Sequence, residues 1–302
     1  MTAPSRPAQG ILWMIATGLC FVAVTGIVKH AAQDLPAAQA AFLRYLLGLV
    51  FLLPMVRALW ATRMPRREAV LFGLRGFVHA LAVILWFYAM TAIPIAEVTA
   101  MNYLAPVYVT LGAALFLGER LALRRVGAVA AALLGAVIIL RPGFREVSPG
   151  HLAMLGTAAL FGASYLLAKR MTGRHAAGAV VAWLSITVTI CLLPFALADW
   201  VRPTPADLGW MFLVAAFATL GHYTMTRAFG AAPVAVTQPV TFLQLVWAVL
   251  LGWVAFGEPP DGWVILGGGV ILAAVSFIAW REARLRPAVA VAPQAAPPAP
   301  RQ

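Results

Sequence analysis

Charge is scarce in this chain, and the ionisable side chains that interrupt its apolar stretches mark where chemistry can begin: Arg44, Arg75, His79, Glu97 and His222. A charged group held in hydrocarbon costs roughly 2.5–3.5 kcal/mol even on lenient insertion scales, so each asks for a reason. Arg44 and Arg75 are fixed cationic donors suited to a carboxylate or phosphate; otherwise they are anchors whose long stems let the head reach water. Four residues separate Arg75 from His79, which puts both on one face of a helix. His79 and His222 are either imidazoles hydrogen-bonded to a neighbouring helix or parts of a binding site. Glu97, three residues after Pro94, sits in a helical first turn. There it is a wet acid favoured by the helix dipole, a proton-binding coupling group, or the partner of Arg75.

Around these lie groups able to hold a polar, flat ligand. Asn102 and Tyr103, Ser164 and Tyr165, His222 and Tyr223, and Gln238 and Gln244 cluster on four apolar segments, with Trp86 and Trp247 set well in from the segment ends. The two indoles either stack on a planar ring or pack the core. Enzymatic signatures are missing: no HExxH, no Gly-x-Ser-x-Gly and no acid pair within one apolar segment. The expectation is therefore a binding and transport protein, with no catalytic residue, no metal and no cofactor.

The elements that must position these groups follow from composition. Of 302 residues, 63% are hydrophobic and 11% charged, and the mean hydropathy is +0.89. A soluble domain carries about 45–50% apolar residues, so this chain belongs in a lipid bilayer. Ten apolar runs lie at 11–28, 38–56, 69–90, 95–117, 124–140, 150–168, 178–198, 208–226, 233–256 and 262–280. Each suits a helix; a membrane barrel would show alternating segments of about ten residues instead. The first run lacks a cleavage site and reads as a retained span. Cys20 and Cys191 fall within apolar runs and read as small buried hydrophobes.

The net charge of +12 would suggest nucleic acid in a soluble protein. Here the alternation of loops accounts for it: one set of connections and both tails carry 16 Lys and Arg, the opposite set 4. That bias predicts an inner-membrane protein with both termini cytoplasmic and no nucleic-acid partner. Residues 1–10 form a short tail, and 287–302, with five prolines, read as a disordered one.

The chain also repeats itself. Gly10, Leu12, Met14, Thr17, Phe21, Ala23 and Lys29 recur 140 residues later as Gly150, Leu152, Met154, Thr157, Phe161, Ala163 and Lys169. Pro94, Ala96, Leu104, Val107, Leu111 and Gly118-Glu119 recur 139 residues later as Pro233, Ala235, Leu243, Val246, Leu250 and Gly257-Glu258. The predicted fold is thus an all-α integral membrane protein of ten helices in two five-helix repeats, 11–141 and 150–280. Five is odd, so the repeats are inverted. Such duplications typify secondary transporters that bind between the halves and alternate access.

Residues 92–143 resemble the EamA-type repeat of the drug/metabolite transporter superfamily, through Leu104, Pro106, Gly118, Glu119, Gly127 and Gly135. The second copy keeps Gly257-Glu258 and Gly267 and has Leu245 in place of the helix proline. The stretches 41–54, 75–89 and 256–263 are similar to the branch holding riboflavin and S-adenosylmethionine uptake carriers. The resemblance implies a secondary transporter, monomer or homodimer, of a small organic metabolite; the alternatives are an amino-acid or metabolite exporter and, in another class, a non-transporting scaffold. It makes Glu119 and Glu258 structural marks. The small four-helix multidrug relatives carry a membrane Glu in their first helix, whereas 11–28 has none. Two cationic residues against at most one acid predict a neutral, zwitterionic or anionic ligand with a planar ring, riboflavin first.

Overall fold

A computed structural model describes residues 6–55, 65–117, 122–171, 177–232 and 234–285. The architecture is all-helical, with ten apolar helices, eight of them long enough to cross a membrane and two shorter. In chain order they are α1 (Pro7–Ala31), α2 (Ala37–Gly48, continued by a 3-10 turn Leu49–Met55), α3 (Arg66–Ala92) and α4a (Ile95–Asn102) with α4b (Ala105–Leu117). There follow α5 (Leu123–Leu140), α6 (Pro149–Met171), α7 (Ala177–Ala198), α8 (Pro205–Ala231), α9a (Val234–Thr237), α9b (Phe242–Phe256) and α10 (Gly262–Leu285).

Local chemistry sets these boundaries. Pro36, Pro65 and Pro94 stand at the N-caps of α2, α3 and α4a, where a proline's lack of an amide hydrogen costs nothing. Thr204 caps α8: its hydroxyl accepts from the Asp207 amide at 3.2 Å and the Asp207 carboxylate accepts from the Thr204 amide at 2.8 Å. Gly257 ends α9b with φ 67°, letting the Glu258 amide close on the Gly252 carbonyl at 2.9 Å. The apolar run 95–117 is not one continuous helix, because the chain turns at Tyr103 and Leu104 just ahead of Pro106. The run 233–256 is interrupted in the corresponding place by the 3-10 turn Gln238–Thr241 around Pro239. Two helices broken at matching depth are what a binding site inside a membrane requires, since the freed backbone groups face protein rather than lipid.

Packing repeats with the halves exchanged. α1 lies along α8 while α6 lies along α3; α2 meets α8 while α7 meets α3; α5 packs on α10 and α2 on α7. Each pairing of a first-repeat helix with a second-repeat helix thus has its counterpart, the contact pattern of two inverted five-helix repeats. The repeated glycines make this close approach possible. A Cβ at Gly150 would strike Ile93 at 2.6 Å, and one at Gly10 would strike Ala232, the equivalent residue of the other half. Gly135 and Gly267 do the same where α5 crosses α10: a Cβ on Gly135 would lie 2.7 Å from the Gly267 carbonyl oxygen. Gly118 and Glu119 fall outside the described residues.

Candidate substrate site

Arg75, His79 and Trp86 project from one side of α3, as their spacing of four and seven residues requires. His79 is at the centre. Its Nδ1 lies 3.1 Å from the Ser164 hydroxyl on α6 and its Nε2 lies 3.1 Å from the Tyr45 hydroxyl on α2, so the ring ties three helices and both repeats. Phe161, one turn before Ser164, meets the imidazole at 4.9 Å between centroids, stacks with Tyr165 at 6.2 Å and 20°, and takes the edge of Trp86 at 6.0 Å. The result is an aromatic wall of Trp86, Phe161, Tyr165 and Tyr45 around one imidazole.

Two guanidinium groups face that wall. Arg44 lies over the Tyr45 ring, 4.0 Å from its centroid, and is close enough to His79 and His222 to act on both electrostatically. Arg75 acts likewise on His79, Tyr45 and Tyr165. Arg75 is 6% exposed, its Nε has no partner, and its Nη1 donates at 3.4 Å to the Val180 carbonyl. Among the described residues no carboxylate pairs with it. Tyr165 and His222 carry exposed surface although protein surrounds them, the mark of a cavity wall and not of an outer face.

The other residues singled out from the sequence fall elsewhere. Tyr223 accepts from Arg227 at 2.9 Å and meets the edge of Trp13, near the pole that carries the N-terminus. Gln244 faces Gly18 of α1, and Trp247 packs on Val22, Ile95 and Ala248 with its indole N–H unpartnered. Tyr103 donates to the Thr241 carbonyl at 2.9 Å, joining the two helix breaks, and the neighbouring Asn102 Oδ1 is buried without a partner. The Gln238 side chain lies outside the described residues.

Glu97 does not meet Arg75. It is 3% exposed and accepts from both terminal nitrogens of Arg145, at 2.9 and 2.7 Å, with His151 Nε2 at 2.5 Å. Ser148 donates its amide to His151 Nδ1 at 3.0 Å. The loop after α5 folds back over the start of α4a, which brings Arg145 to the acid, while Arg75 sits towards the opposite end of α3. Its bonds to Glu97 raise the Arg145 guanidinium's pKa above the ordinary arginine value. Sequence reasoning passed over Tyr45, Phe161, Arg145 and His151; only Tyr45, next to Arg44, offered a local cue.

Residues 8–141 and 148–280 each match the EamA-like transporter family. Among curated relatives, a riboflavin transporter of Rhizobium johnstonii is 34% identical over 93% of this chain and 94% of its own length. A riboflavin transporter of Vibrio cholerae is 30% identical over 94% of this chain and 97% of its own. A pseudopaline exporter of Pseudomonas aeruginosa is 28% identical over 88% and 94%.

Proposed function

This chain belongs to the EamA-like transporter family and is a multi-pass membrane transporter, and on that premise we propose that it carries a planar, polar, cofactor-like metabolite, riboflavin first, by alternating access between its inverted halves. The observation that carries the reading is Arg75. A guanidinium taken out of water without a carboxylate is costly, and a ligand rich in acceptors is what would offset that cost. The adjoining wall of Trp86, Phe161, Tyr165 and Tyr45 supplies faces for a flat ring, and His79, held by two hydroxyls, supplies a polar edge. A net positive cargo such as S-adenosylmethionine would meet two arginines and, among the described residues of the site, no acid. The names of two relatives support riboflavin; the direction of net transport is not part of the proposal.

Glu97 is proposed as the coupling group, now with Arg145 and His151 as its partners. The pole carrying Lys29, Glu97, Arg141 and Arg145 is proposed as the outer one of an inner-membrane protein with cytoplasmic termini, on the 16-to-4 bias of Lys and Arg. The test is uptake of labelled riboflavin and labelled S-adenosylmethionine by the same expressing cells, wild type against Arg75→Ala. Riboflavin uptake that falls in Arg75→Ala supports the reading. Carriage of S-adenosylmethionine alone, untouched by Arg75→Ala, overturns it.

A further inference from the structure

Lys29 closes the first helix of the first repeat, and Glu258 follows the last turn of α9b in the second. They meet at 2.6 Å with side chains only 14% and 16% exposed. Both partners are bound further to the same short connection: Lys29 Nζ donates to the Ile93 carbonyl at 2.8 Å, and Glu258 accepts from the Ile95 amide at 2.9 Å. The ion pair therefore clamps three elements around Pro94. Gly252 makes room for it, since a Cβ there would lie 2.5 Å from Glu258 Oε2.

Directly beneath is an apolar plug. Val22, Ile95 and Ala248 are buried together, with Trp247, Leu251 and Phe256 packed on them. Val22 lies seven residues before Lys29, roughly 10 Å deeper along α1. The same pole holds two more side-chain links between the repeats: Arg141 with Asp261, and Gln39, whose amide both donates to the Val201 carbonyl at 2.6 Å and accepts from its amide at 2.9 Å. Near the other pole, His222 and Tyr165 border open space.

We propose that the Lys29 and Glu258 pair is the latch of the gate at this pole, holding the plug of Val22, Ile95 and Ala248 shut, and that it must part each time the central site opens to that side. In an ion pair so little exposed and so fully bonded, loss of one partner raises the open fraction by about tenfold. The proposal needs the transporter reading alone and is independent of which cargo is carried.

The experiment reads accessibility without any substrate. In the full chain carrying Cys20→Ala and Cys191→Ala, a single reporter, Val22→Cys, is treated with a membrane-impermeant thiol reagent, in intact cells and separately in inverted vesicles. The parent reacts slowly from the side of Lys29. Lys29→Met, Glu258→Gln and Gly252→Ala, the last of which displaces the carboxylate while leaving both charges in place, should each accelerate labelling from that side by about tenfold. Lys29→Arg, which keeps the charge, should label like the parent. Parent rates in the three loosening variants overturn the proposal, and so does Lys29→Arg labelling as fast as Lys29→Met. Should either charge-removing variant fail to reach the membrane, Gly252→Ala decides alone, by the same two outcomes.

Discussion

Replacing Arg75 by methionine separates a ligand-binding guanidinium from a structural one. The side chain is 6% exposed, with a single 3.4 Å bond to the Val180 carbonyl and an Nε that finds no partner. Methionine fills a similar volume and removes a charge whose burial is poorly compensated, so the folded state should be as stable as the wild type or slightly more so. A charge-assisted hydrogen bond to a ligand contributes about 1.5–3 kcal/mol, and each 1.4 kcal/mol is tenfold, so the Kd for riboflavin should rise about ten- to a hundredfold. Quenching of flavin fluorescence by the purified protein gives the Kd, and thermal unfolding in the same detergent gives the stability. The expected pair is weaker binding with an undiminished Tm. An unchanged Kd together with a fall in Tm would refute the reasoning and make Arg75 a strut between α3 and α7.

Gly135→Val should cost about 1–3 kcal/mol, because its Cβ would press on the Gly267 carbonyl and Ile271 where α5 crosses α10. Gly127→Ala, with nothing within 4 Å of the added carbon, should leave Tm unchanged, and equal effects of the two would refute the crossing argument. With the native cysteines removed, cysteines at Thr91 and Asp261 should react with an impermeant reagent outside intact cells and one at Arg66 should not; the reverse pattern would overturn the orientation. Glu97→Gln should abolish accumulation driven by a pH gradient while sparing exchange, and accumulation at the wild-type level would remove Glu97 from the mechanism.

The ten helices and their inverted pairing were legible because lipid forces apolar runs to be long and because Lys29, Glu258 and the glycines recur at a fixed offset. Arg75 and His79 could be joined from sequence, since helical spacing alone puts them on one face. Phe161 could not be singled out: on its own helix a phenylalanine among leucines is indistinguishable from packing, and its place against His79 depends on how α6 lies along α3. The partners of Glu97 were hidden for a related reason. Arg145 and His151 lie 48 and 54 residues away and reach the acid only when the connection between the repeats folds back over α4a. Tyr223 shows the converse failure, because it neighbours His222 in sequence yet joins Arg227 and Trp13 instead. Adjacent residues on a helix point about 100° apart, so a pair in sequence is not a pair in space.

The most direct test of the central claim is counterflow by the purified protein alone. Proteoliposomes loaded with unlabelled riboflavin and diluted into a trace of labelled riboflavin should accumulate label transiently above equilibrium, as a carrier that exposes one site alternately to each side must do. Arg75→Ala proteoliposomes should show no such overshoot. Simple equilibration without overshoot, or an overshoot with S-adenosylmethionine and none with riboflavin, would contradict the account.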